Sequence, residues 1–155
     1  MRVQIFPLGP LDTNCYLLGQ GNEAVVVDPG GNPASLVEHL RASNLKLVAI
    51  LNTHMHFDHV LGNAELAEVT GAPIYACPKD AYLLRSELGS GGGFGLPKTP
   101  PFAYTPLEEG EITLMGLACK VSFTPGHTEG SPSYYFQSEG VLPAGDVLVH
   151  RPVGL

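Results

Sequence analysis

An α/β sandwich is the fold class this sequence predicts, and three observations carry it. Short apolar runs alternate with helical patterns through the first half of the chain. The second half reads as a succession of strands. Hydrophobic residues make up 44% of the 155 positions and charged residues 15%, ample material for a core. Strands mixed with helices in this way argue for packed layers of sheet and helix over an all-β barrel. The length suits one domain, residues 1–155, and is short for two.

Residues 3–6, 15–18 and 24–27 read as strands, separated by turns rich in Gly, Asn and Asp. Asp28-Pro29-Gly30-Gly31 closes the third. Asn32 stands where an N-cap belongs and Pro33 at the first helical position. The helix that follows lines one face with Leu36, Val37 and Leu40, and Glu38 and Arg41 lie off it. Residues 45–51 form an apolar strand that runs directly into Asn52-Thr53-His54. A second helix is predicted over about residues 59–70, stopped by Gly71 and Pro73. A short strand at residues 74–76 and a helix over 78–88 come next. Residues 89–101 hold Gly91-Gly92-Gly93, Gly95, Pro97, Pro100 and Pro101, and read as a mobile loop without regular structure. Strands at 111–114, 117–123, 133–136 and 141–143 complete the pattern.

Formal net charge is −7, and Lys and Arg form no run. A surface that neutralises phosphates needs the opposite balance, which argues against nucleic acid as a partner. No stretch approaches the roughly 18–20 apolar residues that span a bilayer, and residues 1–7 lack the apolar core of a secretion signal. Cys15, Cys77 and Cys119 are odd in number, far apart and without CxxC spacing, the pattern of buried reduced thiols. A soluble, cytoplasmic protein with no membrane partner is expected.

Chemistry concentrates in Thr53-His54-Met55-His56-Phe57-Asp58-His59. Four potential ligands fall between an apolar strand and a helix. Extended residues two apart point the same way, so His54 and His56 can hold one metal together. Asp58 and His59, where the chain turns into the helix, point elsewhere and can serve a second metal. Imidazole and carboxylate without thiolate suit Zn²⁺, Fe or Mn²⁺ in a site open to water. Thr124-Pro125-Gly126-His127-Thr128 places a histidine in a Pro-Gly turn after a strand, and Ala144-Gly145-Asp146 an aspartate at the end of another. Either alone is a weak signal; behind the first cluster they become candidate ligands. His39, on the polar side of a helix, reads as a surface residue, and His150 stays open.

His-x-His-x-Asp-His, then Pro-Gly-His-Thr, then Gly-Asp resembles the metallo-β-lactamase superfamily, and within it the glyoxalase II-like (hydroxyacylglutathione hydrolase-like) branch. Asn14-Cys15-Tyr16-Leu17, Val27-Asp28-Pro29-Gly30 and Gly130-Ser131 resemble it as well. The resemblance implies an αββα four-layer sandwich with the site along one edge of its two sheets. It assigns His54, His56 and His127 to a first metal and Asp58 and His59 to a second, with Asp146 bridging them. Asp28 is expected to support the ligands from behind. The implied reaction is hydrolysis of a thioester, of the hydroxyacylglutathione kind, by a metal-bound hydroxide that Asp58 orients. Two Zn²⁺ sites are expected, with Fe or Mn also compatible.

The chain departs from that pattern by ending at Leu155, before the further Pro-Gly-His turn that family members carry. The expectation is therefore a C-terminally incomplete domain whose second site lacks a protein ligand. Apolar surface would then be bare on the outer face of the second sheet, and a homo-oligomer would be one way to cover it. The glutathione-binding helical domain of glyoxalase II enzymes is likewise expected to be missing from these 155 residues. Two other readings stand beside the thioesterase: a mononuclear Fe(II) persulfide dioxygenase, and a non-catalytic metal-binding module or inactive fragment. Lactone hydrolysis is compatible with the same chemistry.

Overall fold

The computed structural model describes residues 1–126 and 128–145, and the backbone of 147–150. Among them are two sheets packed face to face. The first has six strands: β1 (Arg2–Leu8), β2 (Thr13–Gln20), β3 (Glu23–Val27), β4 (Lys46–Leu51), β5 (Ile74–Ala76) and β6 (Thr105–Pro106), in that spatial order. β1 to β3 form an antiparallel meander, while β3 to β6 run parallel. The second sheet is antiparallel and ordered β11-β10-β9-β8-β7, from β7 (Gly110–Leu114), β8 (Leu117–Phe123), β9 (Pro132–Tyr135), β10 (Val141–Ala144) and β11 (Val147–His150).

The unbroken apolar runs of β2 and β3 exist because both faces of the first sheet are covered. Tyr16, Leu18, Val25 and Val27 point into the core between the sheets, against Cys119, Val121, Tyr134, Phe136 and Val141. Their neighbours Cys15, Leu17, Ala24 and Val26 point the other way, onto helices α1 (Ala34–Ala42) and α3 (Asn63–Thr70) through Leu36, Leu40 and Leu66. Each fully buried Leu or Val contributes about 1.5–3 kcal/mol. The described residues thus build helix, sheet and sheet of the expected sandwich. No helix among them is long and apolar enough to cross a membrane.

Several expectations need correction. The predicted second helix is two pieces, α2 (Phe57–Val60) and α3, parted at Leu61–Gly62. The reason is a crossing of backbones: a Cβ on Gly62 would lie 2.3 Å from the Gly31 carbonyl oxygen, and the Gly62 N–H donates to the Pro29 carbonyl at 2.7 Å. Helix α1 begins one residue later than expected, although the Asn32 side chain still accepts from the Ala34 N–H at 3.0 Å. Over 78–88 the chain makes a tight 3₁₀-type coil at Pro78–Arg85, then breaks at extended Ser86 before the short α4 (Glu87–Ser90). Residues 89–101 fold back on themselves. Gly92 N–H donates to Pro97 O and Thr99 N–H to Ser90 O, and the Thr99 hydroxyl donates to Gly89 O, so glycine and proline shape a closed loop here. β6 and β11 escaped the sequence reading because each is short. On the outer face of the second sheet, Glu111, Thr113, Ala118 and Lys120 of β7 and β8 are exposed, and Tyr135, Leu142 and Ala144 of β9 and β10 are half-buried.

Cys15, Cys77 and Cys119 are buried, and none is in a disulfide. Burial pushes Cys119 up to about 12 and Cys77 above its ordinary 9.0. Burial also raises Cys15 well above that ordinary value, helped by the charge of Asp28. A folded thiol of this kind keeps a proton that the unfolded chain has released. Stability is therefore intact below about pH 9 and falls as pH climbs towards 12. The native chain is expected to be silent to a disulfide reagent at neutral pH and to expose three thiols once unfolded. Urea midpoints taken on either side of pH 9 check the alkaline loss.

Candidate metal centre

The parallel strands β3, β4 and β5 deliver their carboxyl ends to one edge of the sandwich, the place where such sheets gather functional groups. β3 ends at Asp28, and β4 runs out through Asn52-Thr53-His54. His56 is extended (φ −66°, ψ 145°) and forms the N-cap of α2, which carries Asp58 and His59. The histidines draw together here: the His54 ring lies 3.9 Å from that of His59 and 4.8 Å from that of His56, centroid to centroid. His59 Nε2 is 3.5 Å from Asp58 Oδ2.

Asp28 organises this group from beneath. It is wholly buried. Its Oδ1 accepts from the Thr53 N–H at 2.8 Å, while Oδ2 accepts from the Thr53 hydroxyl and from His59 Nδ1 at 2.9 Å. Ligand atoms of Asp28, His54 and His59 lie within 4.8 Å of one another. With its oxygens engaged in these bonds, Asp28 acts as the orienting group of that trio.

Hydrogen arithmetic then fixes the tautomers. A carboxylate only accepts, so His59 must donate from Nδ1, which puts the lone pair of its neutral ring on Nε2. The Thr53 hydroxyl spends its one proton on Asp28. It must therefore accept from His54 Nδ1, 3.2 Å away, and the lone pair of His54 likewise sits on Nε2. Two imidazoles are set as Nε2 donors by one buried carboxylate and one threonine, the arrangement that prepares histidine for a cation.

Three supports carried no sequence signal. Thr13, at the start of β2, donates to Asp58 Oδ2 at 2.9 Å and fixes the rotation of that carboxylate. Asn52 and Asn63 exchange side-chain hydrogen bonds of 3.3 and 2.7 Å in the buried floor, and the Tyr134 hydroxyl reaches across from β9 to the Asn52 carbonyl. Asp80, in the coil after β5, is buried and bonded to Thr128 and Gly130. None belongs to a motif, because each acts through contacts distant in the chain. Phe57, next to Asp58 in the chain, borders an open pocket of about 170 Å³ with Glu87, Leu88, Phe94 and Leu96.

The structure brings Asp28, His54, His56, Asp58 and His59 of the expected set to one edge. His127 and Asp146 lie outside the described residues, as does the His150 side chain. His39 stands apart, its ring edge against Phe6 at 5.6 Å.

A family model described as the metallo-beta-lactamase superfamily matches residues 8–155. The hydroxyacylglutathione hydrolase GloC of Haemophilus influenzae is 31% identical over 159 residues, an alignment spanning 99% of this chain and 75% of that protein. The BLEG-1 B3 metallo-beta-lactamase superposes with a TM-score of 0.81 at 36% identity, over 91% of this chain and 70% of its own. TTHA1623, solved in a di-iron-bound form, superposes with a TM-score of 0.76 at 37% identity, over 90% of this chain and 70% of its own.

Proposed function

The chain belongs to the metallo-β-lactamase superfamily, and from that premise we propose that it is a divalent-metal hydrolase acting on a thioester of the hydroxyacylglutathione class. One observation carries the reading: His54 and His59 both keep the lone pair on Nε2, and that of His59 lies 3.5 Å from the Asp58 carboxylate. A buried cluster of imidazole and carboxylate fits a divalent cation and would be costly to assemble for packing alone. His54, His56 and His127 would hold one ion and Asp58 and His59 a second, with Asp146 between them. When bound, such an ion would lower the pKa of water towards about 7 and supply a nucleophile at neutral pH.

The chain's own residues supply orientation. Thr13 holds Asp58 Oδ2, so the carboxylate is presented in one rotation to hold the proton of the attacking water. Asp28 keeps His59 from turning, and Thr53 does the same for His54. Support for the thioester class comes from GloC, a hydroxyacylglutathione hydrolase that aligns along nearly the whole chain. The finding of TTHA1623 in a di-iron-bound form supports iron beside zinc as a metal for such a site.

The test is a substrate panel on purified chain with its metal content measured. Zinc- and iron-loaded samples are each offered a hydroxyacylglutathione thioester, a β-lactam, a lactone and glutathione persulfide. The expected result is thiol release from the thioester with kcat/KM on the order of 10⁴ M⁻¹s⁻¹ or above. Oxygen uptake with persulfide alone would replace the hydrolase by the dioxygenase. Bound metal with no turnover on any of the four would leave the metal-binding module.

A further inference from the structure

We infer that Asp80 is a positioning residue: it clamps the turn bearing His127 to the first sheet and so sets the metal affinity of the site. The inference rests on the reading of His127 as a ligand, and its geometry comes from that residue's neighbours.

Asp80 follows β5 of the first sheet, and the turn joins β8 to β9 of the second. The Asp80 carboxylate is fully buried. Oδ2 accepts from the Thr128 hydroxyl at 2.9 Å and Oδ1 from the Gly130 N–H at 2.9 Å. One carboxylate therefore grips the turn one residue and three residues beyond His127. Within the turn the two hydroxyl protons have one assignment. Thr128 Oγ1 gives its proton to Asp80, so it must accept from the Ser131 hydroxyl, 2.6 Å away, and it also accepts from the Ser131 N–H at 3.1 Å. Ser131 Oγ in turn accepts from the Thr128 N–H at 3.2 Å. The Thr124 hydroxyl and N–H both bond the Ser131 carbonyl, which closes the base of the turn.

These internal bonds give the turn its shape without saying where it stands against the other sheet. That placement falls to Asp80, because the chain that brings His54, His56 and His59 belongs to the first sheet. A buried carboxylate is an expensive clamp unless every bond to it is made. Here two donors from the turn meet its two oxygens. Residues that orient metal ligands in this way typically govern affinity by 10- to 100-fold.

The experiment measures Co²⁺ binding to the full chain by competition with a chromophoric chelator, together with the ligand-field spectrum and the melting of the metal-free protein. Thr128→Val removes the hydroxyl at constant shape and stays foldable even where Asp80→Ala does not. Both variants are expected to bind Co²⁺ about 10- to 100-fold more weakly, with an altered spectrum. Thr128→Ser restores the hydroxyl and is expected to recover affinity to within about threefold of the parent. A lowered melting temperature with unchanged Co²⁺ affinity and spectrum in Thr128→Val would overturn the inference and make Asp80 purely structural. Should the parent chain itself bind no Co²⁺, the metal-centre reading fails and the inference falls with it, an outcome distinct from loss of the clamp alone.

Discussion

Replacing Asp58 by alanine is expected to cut turnover of the thioester about a thousandfold or more while leaving melting within a few degrees of the parent. The two effects separate because of where the residue stands. Asp58 opens α2 at the rim of the cluster, and its side chain is 20% exposed, so truncation leaves no sealed cavity. The structural cost is one part-buried hydrogen bond from Thr13, about 1 kcal/mol and so roughly 2–4 °C of melting. The chemical cost is larger. Oδ2 faces His59 Nε2 at 3.5 Å, so the substitution removes a negative charge where a cation would sit and the group that holds the water's proton. Asp58→Asn sharpens the point: an amide oxygen can still accept from Thr13 but cannot take a proton. It is expected to melt like the parent and to be nearly as slow as the alanine variant. Kinetics, metal equivalents and melting curves on the three proteins check this. Turnover within tenfold of the parent in either variant would remove Asp58 from the chemistry.

That a residue so exposed can be singled out at all reflects what a sequence makes local. His54, His56, Asp58 and His59 lie within six positions, so their residue types and spacing mark the cluster before any tertiary contact is known. The strands of the first sheet other than β6 were equally legible, since burial on both faces leaves unbroken apolar runs such as Ala24-Val25-Val26-Val27. What escaped is set by contacts between distant segments. The break in the second helix depends on Gly62 meeting the Pro29–Gly31 backbone, and nothing near Gly62 in sequence announces that meeting. Thr13 is one threonine among many until β2 sets it against Asp58, 45 residues away. Asp80 and Thr128, 48 residues apart, are the same kind of pair. Ligands announce themselves by residue type, whereas the groups that aim them are ordinary polar residues identified only by whom they touch. Asp28 is the exception, and it was legible through a resemblance and not through any periodicity.

Gly30→Ala is expected to be the most damaging single methyl this chain can receive near its site. A Cβ on Gly30 would lie 1.6 Å from the Asp58 carbonyl oxygen and 2.6 Å from its carbon. Both are main-chain atoms, so no rotamer relieves the overlap, and the loop after β3 must part from the segment carrying Asp58 and His59. Those segments are otherwise locked together, by Asp28 on Thr53 and His59 and by Gly62 on Pro29. Overpacking of this severity costs about 3 kcal/mol or more, a fall of roughly 6–12 °C in melting temperature for a protein of this size. Metal affinity is expected to fall with it, because Asp58 and His59 are displaced from His54. Gly71→Ala provides the comparison. Gly71 holds a left-handed conformation at φ 74° with nothing within 4 Å, so alanine there meets only backbone strain, about 1 kcal/mol. Gly30 is not among the positive-φ glycines. If conformational strain dominated, Gly71→Ala would be the worse variant; if the backbone crossing dominates, Gly30→Ala is worse and alone loses metal. Melting and Co²⁺ titration of the two variants decide between them, and a Gly30→Ala protein as stable as the parent would mean that the approach of these two loops does not hold the site together.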